Sequence, residues 1–211
     1  MDYVYGMNRR TALLAPLATA LFAGLVAALP AQAAPVSLAA LSKYLNAMTT
    51  LRTDFTQVNV DGSVATGKLS ISRPGRARFE YDPPDRSLVI AGSGSVAIFD
   101  AKSNQPPEQY PLSKTPLSLI LANNVDLGRA RMVVGHRQDG TSTRVTAQDP
   151  DHPEYGTIEL VFTDSPLALR QWVITDDMGQ QTTVVLNELE NGISFSPRTF
   201  DIAAEIERRK R

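Results

Sequence analysis

His152 stands in the run Asp149-Pro150-Asp151-His152-Pro153-Glu154, where carboxylates and an imidazole lie close enough to suggest a metal site or a hydrolytic centre. Metal binding or general acid–base work needs those groups to converge on one point. Pro150 and Pro153 hold the residues before them extended, so the run reads instead as a polar loop between strands. The other histidine is His136, and there is no cysteine. That excludes a disulfide framework, a thiolate metal site, a cysteine nucleophile and a lipid-modified N-terminal cysteine. Gly92-Ser93-Gly94 falls between two apolar runs. It has neither the framing of a nucleophile elbow nor the lysine of a phosphate loop, and it reads as a hairpin turn. An enzyme would have to rest on His152 alone; we expect none, and no metal and no cofactor.

The arginines around Pro74-Gly75 are more informative. Arg76 and Arg78 alternate with Ala77, Phe79 and Tyr81, which puts them on the opposite face of a strand as solvated charges near Glu80. Arg73 follows Leu69 and Ile71 on their own parity, so the pleat aims it toward the apolar face. A guanidinium pointed into an apolar concavity must find acceptors. The unpaired carbonyls at a helix C-terminus supply them, which would make Arg73 a latch for a short helix.

These residues have to be positioned by surrounding elements. With 43% hydrophobic and 20% charged residues and a net charge of −1, the chain can bury a core. It is neither disordered nor a polybasic nucleic-acid binder. Arg9-Arg10, the apolar stretch Ala12–Leu29 and Ala31-Gln32-Ala33 form an export signal, expected over residues 1–33 and cleaved. One domain is expected over 34–202, followed by a basic tail over 203–211. The tail, Glu207-Arg208-Arg209-Lys210-Arg211, reads as solvated or as touching anionic lipid or an acidic partner.

Pro35 opens a helix over Val36–Met48 whose Leu38, Leu41, Leu45 and Met48 recur at spacings of three and four. Extended runs follow at Phe55–Val60, Gly67–Ser72, Ala77–Tyr81, Ser87–Ala91, Val96–Asp100, Arg129–Val134, Ser142–Ala147, Thr157–Thr163, Leu169–Thr175 and Thr182–Leu189. Asp61-Gly62 and Pro74-Gly75 supply turns between them. So many short strands argue for an antiparallel sheet that curls. Inside this series Thr115 as N-cap and Pro116 as first helical residue introduce a second apolar helix with Leu117, Ile120 and Leu121. The two helices either plug the concave face as solid core or cover a cavity.

In its order of motifs the chain resembles the LolA family, periplasmic carriers of outer-membrane lipoproteins. The resemblance rests on Phe55-Thr56-Gln57, Gly67-Lys68-Leu69 leading to Arg73-Pro74, Arg78-Phe79-Glu80-Tyr81, Leu88-Val89-Ile90, Ile98-Phe99-Asp100, Thr115-Pro116-Leu117, Trp172 in its strand, Asp177-Met178-Gly179, and Phe195 through Pro197 to Phe200. It implies a mainly β fold: a curved antiparallel sheet forming an unclosed β-barrel, with short α-helices as a lid over an apolar cavity. It also implies that Arg73 holds the lid by hydrogen bonds to helix backbone. The lining implied is Phe55, Leu69, Ile71, Phe79, Tyr81, Phe99 and Trp172. The expected partners are acylated outer-membrane lipoproteins, an inner-membrane lipoprotein-releasing transporter and an outer-membrane acceptor, and the expected state is a monomer in the periplasm. The rival is an envelope sensor or regulator of the same fold that binds a lipid or a partner peptide.

Overall fold

The computed structural model describes residues 34–103 and 105–210. The export signal expected over residues 1–33 lies outside them.

The chain opens with α1 (Leu38–Ala47), which Ser37 caps by accepting the Ala40 N–H on its hydroxyl. Leu41, Leu45 and Met48 are buried and Leu38 is half-buried, so the stripe read from spacing is the face turned inward. Five strands follow in meander: β1 (Thr50–Val58), β2 (Val64–Ser72), β3 (Arg76–Tyr81), β4 (Leu88–Gly92) and β5 (Ser95–Phe99). Next come β6 (Glu108–Pro111), a 3₁₀ turn at Leu112–Lys114 and α2 (Leu117–Leu121). The second meander is β7 (Val133–Asp139), β8 (Ser142–Gln148), β9 (Thr157–Asp164), β10 (Leu167–Thr175) and β11 (Gln181–Leu186), ending in the two-residue β12 (Glu190–Asn191) and α3 (Ile202–Arg209).

All strands join one sheet in the order β6-β5-β4-β3-β2-β1-β11-β10-β9-β8-β7, with β12 on β1. β1 against β11 splices the two meanders, antiparallel like the rest. Among the described residues β6 and β7 stay unpaired with each other, so the barrel is not closed. The curl follows from one distance. β3 and β10 are four strand spacings apart, about 19 Å in a flat sheet, yet the Phe79 and Trp172 rings approach edge to face at 6.4 Å. The sheet therefore wraps around its apolar face.

That concave face holds the main core, and both short helices lie against it. α2 has only five residues, too few to persist unaided, so burial of Leu117, Ile120 and Leu121 holds it. Pro116 is helical, but Thr115 does not cap: its hydroxyl donates back to the Leu112 carbonyl at 2.8 Å.

The convex face corrects three expectations. Residues 202–209 form α3 rather than a solvated tail, with Ile202 and Ile206 packed on Leu88, Ile90, Ala97 and Phe99. Phe99 therefore belongs to this outer cluster and not to the concave lining. Arg78 is not a solvated strand charge either: α3 and the segment before it cover it, leaving its side chain 14% exposed. It donates to the Thr199 carbonyl at 3.3 Å and pairs with Glu80 at 3.0 Å.

Candidate functional site

The site is built where β2 runs out beneath the helices. Gly67, Leu69 and Ile71 share the inner parity of β2, and Arg73 continues it past the end of the strand. Its guanidinium spans the C-termini of both lid helices. Nε donates to the Ala122 carbonyl at 3.0 Å, one terminal nitrogen donates to that oxygen at 2.6 Å, and the other donates to the Leu45 carbonyl. A further bond reaches the Asn46 Oδ1 at 3.0 Å. Ala122 caps α2, and Leu45, in the last turn of α1, also accepts the Met48 N–H at 3.2 Å, so Arg73 adds a charged donor at both helix ends. The cation also sits at the negative ends of two helices. Burial pulls its pKa below arginine's ordinary value. The turn after it adds a backbone bond, from the Gly75 N–H to the Leu121 carbonyl at 2.8 Å.

A strap follows α2 and completes the lid. The Asn46 side chain takes both backbone groups of Val125, accepting its N–H at 2.8 Å and donating to its carbonyl at 2.9 Å. Ser42 on α1 accepts the Leu127 N–H at 3.0 Å. Val125, Leu127 and Met132 are buried with the core. Tyr44 ties α1 to the far wall, accepting the Leu169 N–H at 3.1 Å and meeting Phe162 edge to face. Residue types and spacing alone do not mark Ser42, Tyr44, Asn46, Val125 and Leu127 as site residues. An amide one residue short of a helix end is the available signal for Asn46; the strap has no period to read.

Beneath the lid the interior is nearly full. Leu45, Met48, Leu51, Ile71, Ile120 and Leu186 surround a void of about 20 Å³ beside Arg73 and Trp172. Of the residues expected to line a cavity, Phe55, Leu69 and Ile71 lie in this packed region, while Phe79, Tyr81 and Trp172 face an open space at the far end of the barrel. That mouth holds about 480 Å³ and is also walled by Val89, Leu117, Ile174 and Val184. Trp172 lines both spaces, so its indole is the partition between mouth and lid interior. Phe55 meets Phe79 at 5.6 Å and Tyr81 at 5.2 Å, both edge to face. The Tyr81 hydroxyl donates to Gln57 at 2.8 Å, and burial pushes its pKa up to about 12.

The His152 loop is occupied with itself. Asp149 accepts the Asp151 and His152 N–H groups, Asp151 pairs with Arg129 at 2.7 Å, and His152 lies 3.0 Å from Glu154 and stacks on Tyr155. Each polar group there has a local structural partner. His136, on β7, bonds the Val36 carbonyl at 2.9 Å just before α1.

The outer-membrane lipoprotein carrier protein of Chromobacterium violaceum is 27% identical over 192 residues, spanning 88% of this chain and 90% of that one. Its counterpart in Chromohalobacter salexigens is 29% identical over 197 residues, spanning 88% and 92%. A solved LolA superfamily protein from Nitrosomonas europaea superposes with a TM-score of 0.44 at 7% identity, covering 78% of this chain and 97% of that one. Residues 46–203 match the family described as outer membrane lipoprotein carrier protein LolA. That stretch runs from the end of α1 through every strand to the start of α3, and the chain belongs to the LolA family.

Proposed function

We propose that this chain is a periplasmic carrier that binds the acyl chains of lipoproteins in the barrel interior. It takes them from an inner-membrane releasing transporter and passes them to an outer-membrane acceptor, acting as a monomer and without catalysis. The observation that supports this reading is the bonding of Arg73 to the C-termini of both helices, above an interior that is otherwise apolar. A permanent core needs no charged tie of this kind. A lid that must open and reclose does, because hydrogen bonds of fixed geometry re-form in one register whereas apolar contacts alone do not specify one.

The load explains the need. At about 0.8 kcal/mol per buried CH₂, leaving several acyl chains in water opposes transfer by tens of kcal/mol. The mouth offers an apolar entry, and displacing α1 and α2 from the concave face exposes the rest of the wall. Lid side chains and acyl chains then exchange places against the same sheet. The test is to incubate the purified protein with acylated lipoprotein in inner-membrane vesicles, with the releasing transporter present. A soluble one-to-one complex is expected, with acyl chains found by mass spectrometry. Lipoprotein that stays in the vesicles at saturating carrier refutes the reading. Recovery of a peptide rather than a lipid favours the sensor.

A further inference from the structure

The mouth is open while the lid is latched, and its chemistry is that of a site in its own right. Its walls are apolar: Phe79, Val89, Leu117, Ile174 and Val184 around the edge of Trp172. At about 480 Å³ it falls in the range of roughly 300–1,000 Å³ typical of small-ligand pockets. Its lining carries charges of both signs. Lys114 ends the 3₁₀ turn before α2, and Asp176 and Asp177 sit in the turn from β10 to β11. Asp176 is engaged in that turn, accepting the N–H groups of Met178 and Gln180. Lys114 and Asp177 enter no ion pair among the described residues. Tyr110 and Tyr155 complete the rim with rings that suit an apolar–polar boundary.

From this we propose that the latched protein binds a single-chain zwitterionic amphiphile in the mouth: one acyl chain along the apolar wall, a phosphate toward Lys114 and an ammonium toward Asp177. The observations favour this occupant over others. A multi-chain lipid needs the space that the closed lid fills, since only about 20 Å³ remains there. A neutral apolar molecule leaves the two rim charges without use. The inference goes beyond the carrier reading and does not depend on it, because it concerns the closed lid and a ligand that is not a lipoprotein. In a carrier it supplies a first contact for one chain before the lid moves.

The chain has one tryptophan, Trp172, and it forms part of the site. Palmitoyl lysophosphatidylethanolamine, held below its micelle concentration, is titrated into the full protein while Trp172 emission is followed and calorimetry gives stoichiometry. Saturable binding of one molecule is expected. Shortening the chain to myristoyl weakens it by up to about 15-fold, from two methylenes at about 0.8 kcal/mol each. Lys114→Glu weakens it several-fold, and palmitate, which lacks the ammonium, binds more weakly than the zwitterion. Thr182→Phe places a ring in the mouth and abolishes binding. Hydrogen exchange at Gly75, whose amide bonds the Leu121 carbonyl, stays slow throughout, since the lid stays shut.

Absence of saturable binding overturns the site, as does unchanged affinity in both variants. Equal binding of palmitate overturns the head-group assignment. Faster exchange at Gly75 on binding shows that the chain has entered beneath the lid, and overturns the latched state. No lipoprotein is present, so carriage can fail while this site stands, and the reverse.

Discussion

Replacing Arg73 by leucine tests the latch most directly. The guanidinium engages three acceptors, the Ala122 and Leu45 carbonyls and the Asn46 amide oxygen. At about 1.5 kcal/mol for each charge-assisted bond the gross stabilisation is on the order of 4 kcal/mol. Ordering an arginine side chain opposes this by about 2 kcal/mol. The net bias toward closure is then about 2 kcal/mol, which corresponds to about 30-fold in the equilibrium between shut and open lid. Leucine forfeits that bias and adds an apolar side chain to the wall.

Loading and release separate under this change. On the carrier reading binding needs an open lid, so Arg73→Leu should accept lipoprotein at least as well as the parent. Delivery on that reading draws on the free energy recovered when the lid recloses, so transfer to a purified acceptor should fall by roughly the same 30-fold. Arg73→Lys lies between, because one ammonium cannot span two helix ends as the planar fork does. The assay follows labelled lipoprotein first into soluble complex, then onto acceptor. A leucine variant that hands over cargo at the parent rate refutes the latch. So does one that fails to load although its circular dichroism and denaturant midpoint are unchanged.

Three further outcomes are expected. Gly67→Ala should destabilise by about 2 kcal/mol or more in denaturant melts, because its Cβ would stand 2.2 Å from the Glu80 carbonyl oxygen and 2.9 Å from the Phe55 ring. Glu205→Gln should loosen α3 at neutral pH and raise dye binding at the uncovered Leu88, Ile90 and Phe99. In the parent, burial works to raise the Glu205 carboxyl, but the hydrogen bonds from Arg208 and Arg209 outweigh it and hold it below its ordinary value. Its contribution is thus present above the ordinary carboxylate range and lost as pH falls through the lowered folded value; hydrogen exchange in α3 across an acid series checks it. Tyr81, raised to about 12, keeps its proton in the folded protein after an unfolded tyrosine has lost it. Stability should fall between about pH 10 and 12, and Tyr81→Phe should remove that part of the fall in alkaline melts.

Much of this was legible in residue order because the concave face is one-sided. The parity that joins Leu69, Ile71 and Arg73 predicts where the guanidinium goes, and the spacing from Leu38 to Met48 predicts the inward stripe of α1. Legibility failed where burial is two-sided or pairing alone makes the strand. In β4 and β5 both parities are apolar, Val89 and Ala91 inward and Leu88 and Ile90 outward, which signals cover on both faces. Phe99 belongs to that outer set, and only the cover over it tells it apart from a lining residue. That cover, α3, hid behind its charges, although Ile202 and Ile206 stand four apart. The residue types predict a strand at Arg129–Val134, whereas β7 occupies Val133–Asp139, an exposed edge strand defined by its ladder to β8 rather than by apolar residues. β6 and β12 have no buried residue and carry no pattern to find.

The same facts bear on how a carrier can let go. A preformed cavity of the right size would hold acyl chains with the full burial energy, and nothing in this barrel could return that energy at delivery. The closed form here leaves almost no void beneath the lid, so each acyl contact displaces a lid contact of similar kind. Binding on the carrier reading is therefore an exchange of apolar surfaces against one wall, with a net free energy far smaller than either burial. The few kcal/mol of directional bonding at Arg73 then suffice to tip the exchange toward closure once an acceptor competes for the cargo. This also accounts for the brevity of α2. A longer, self-sufficient helix would stay formed and docked, whereas five residues held by Leu117, Ile120 and Leu121, the Arg73 bonds to Ala122 and the Gly75 bond to Leu121 yield as soon as those contacts are replaced.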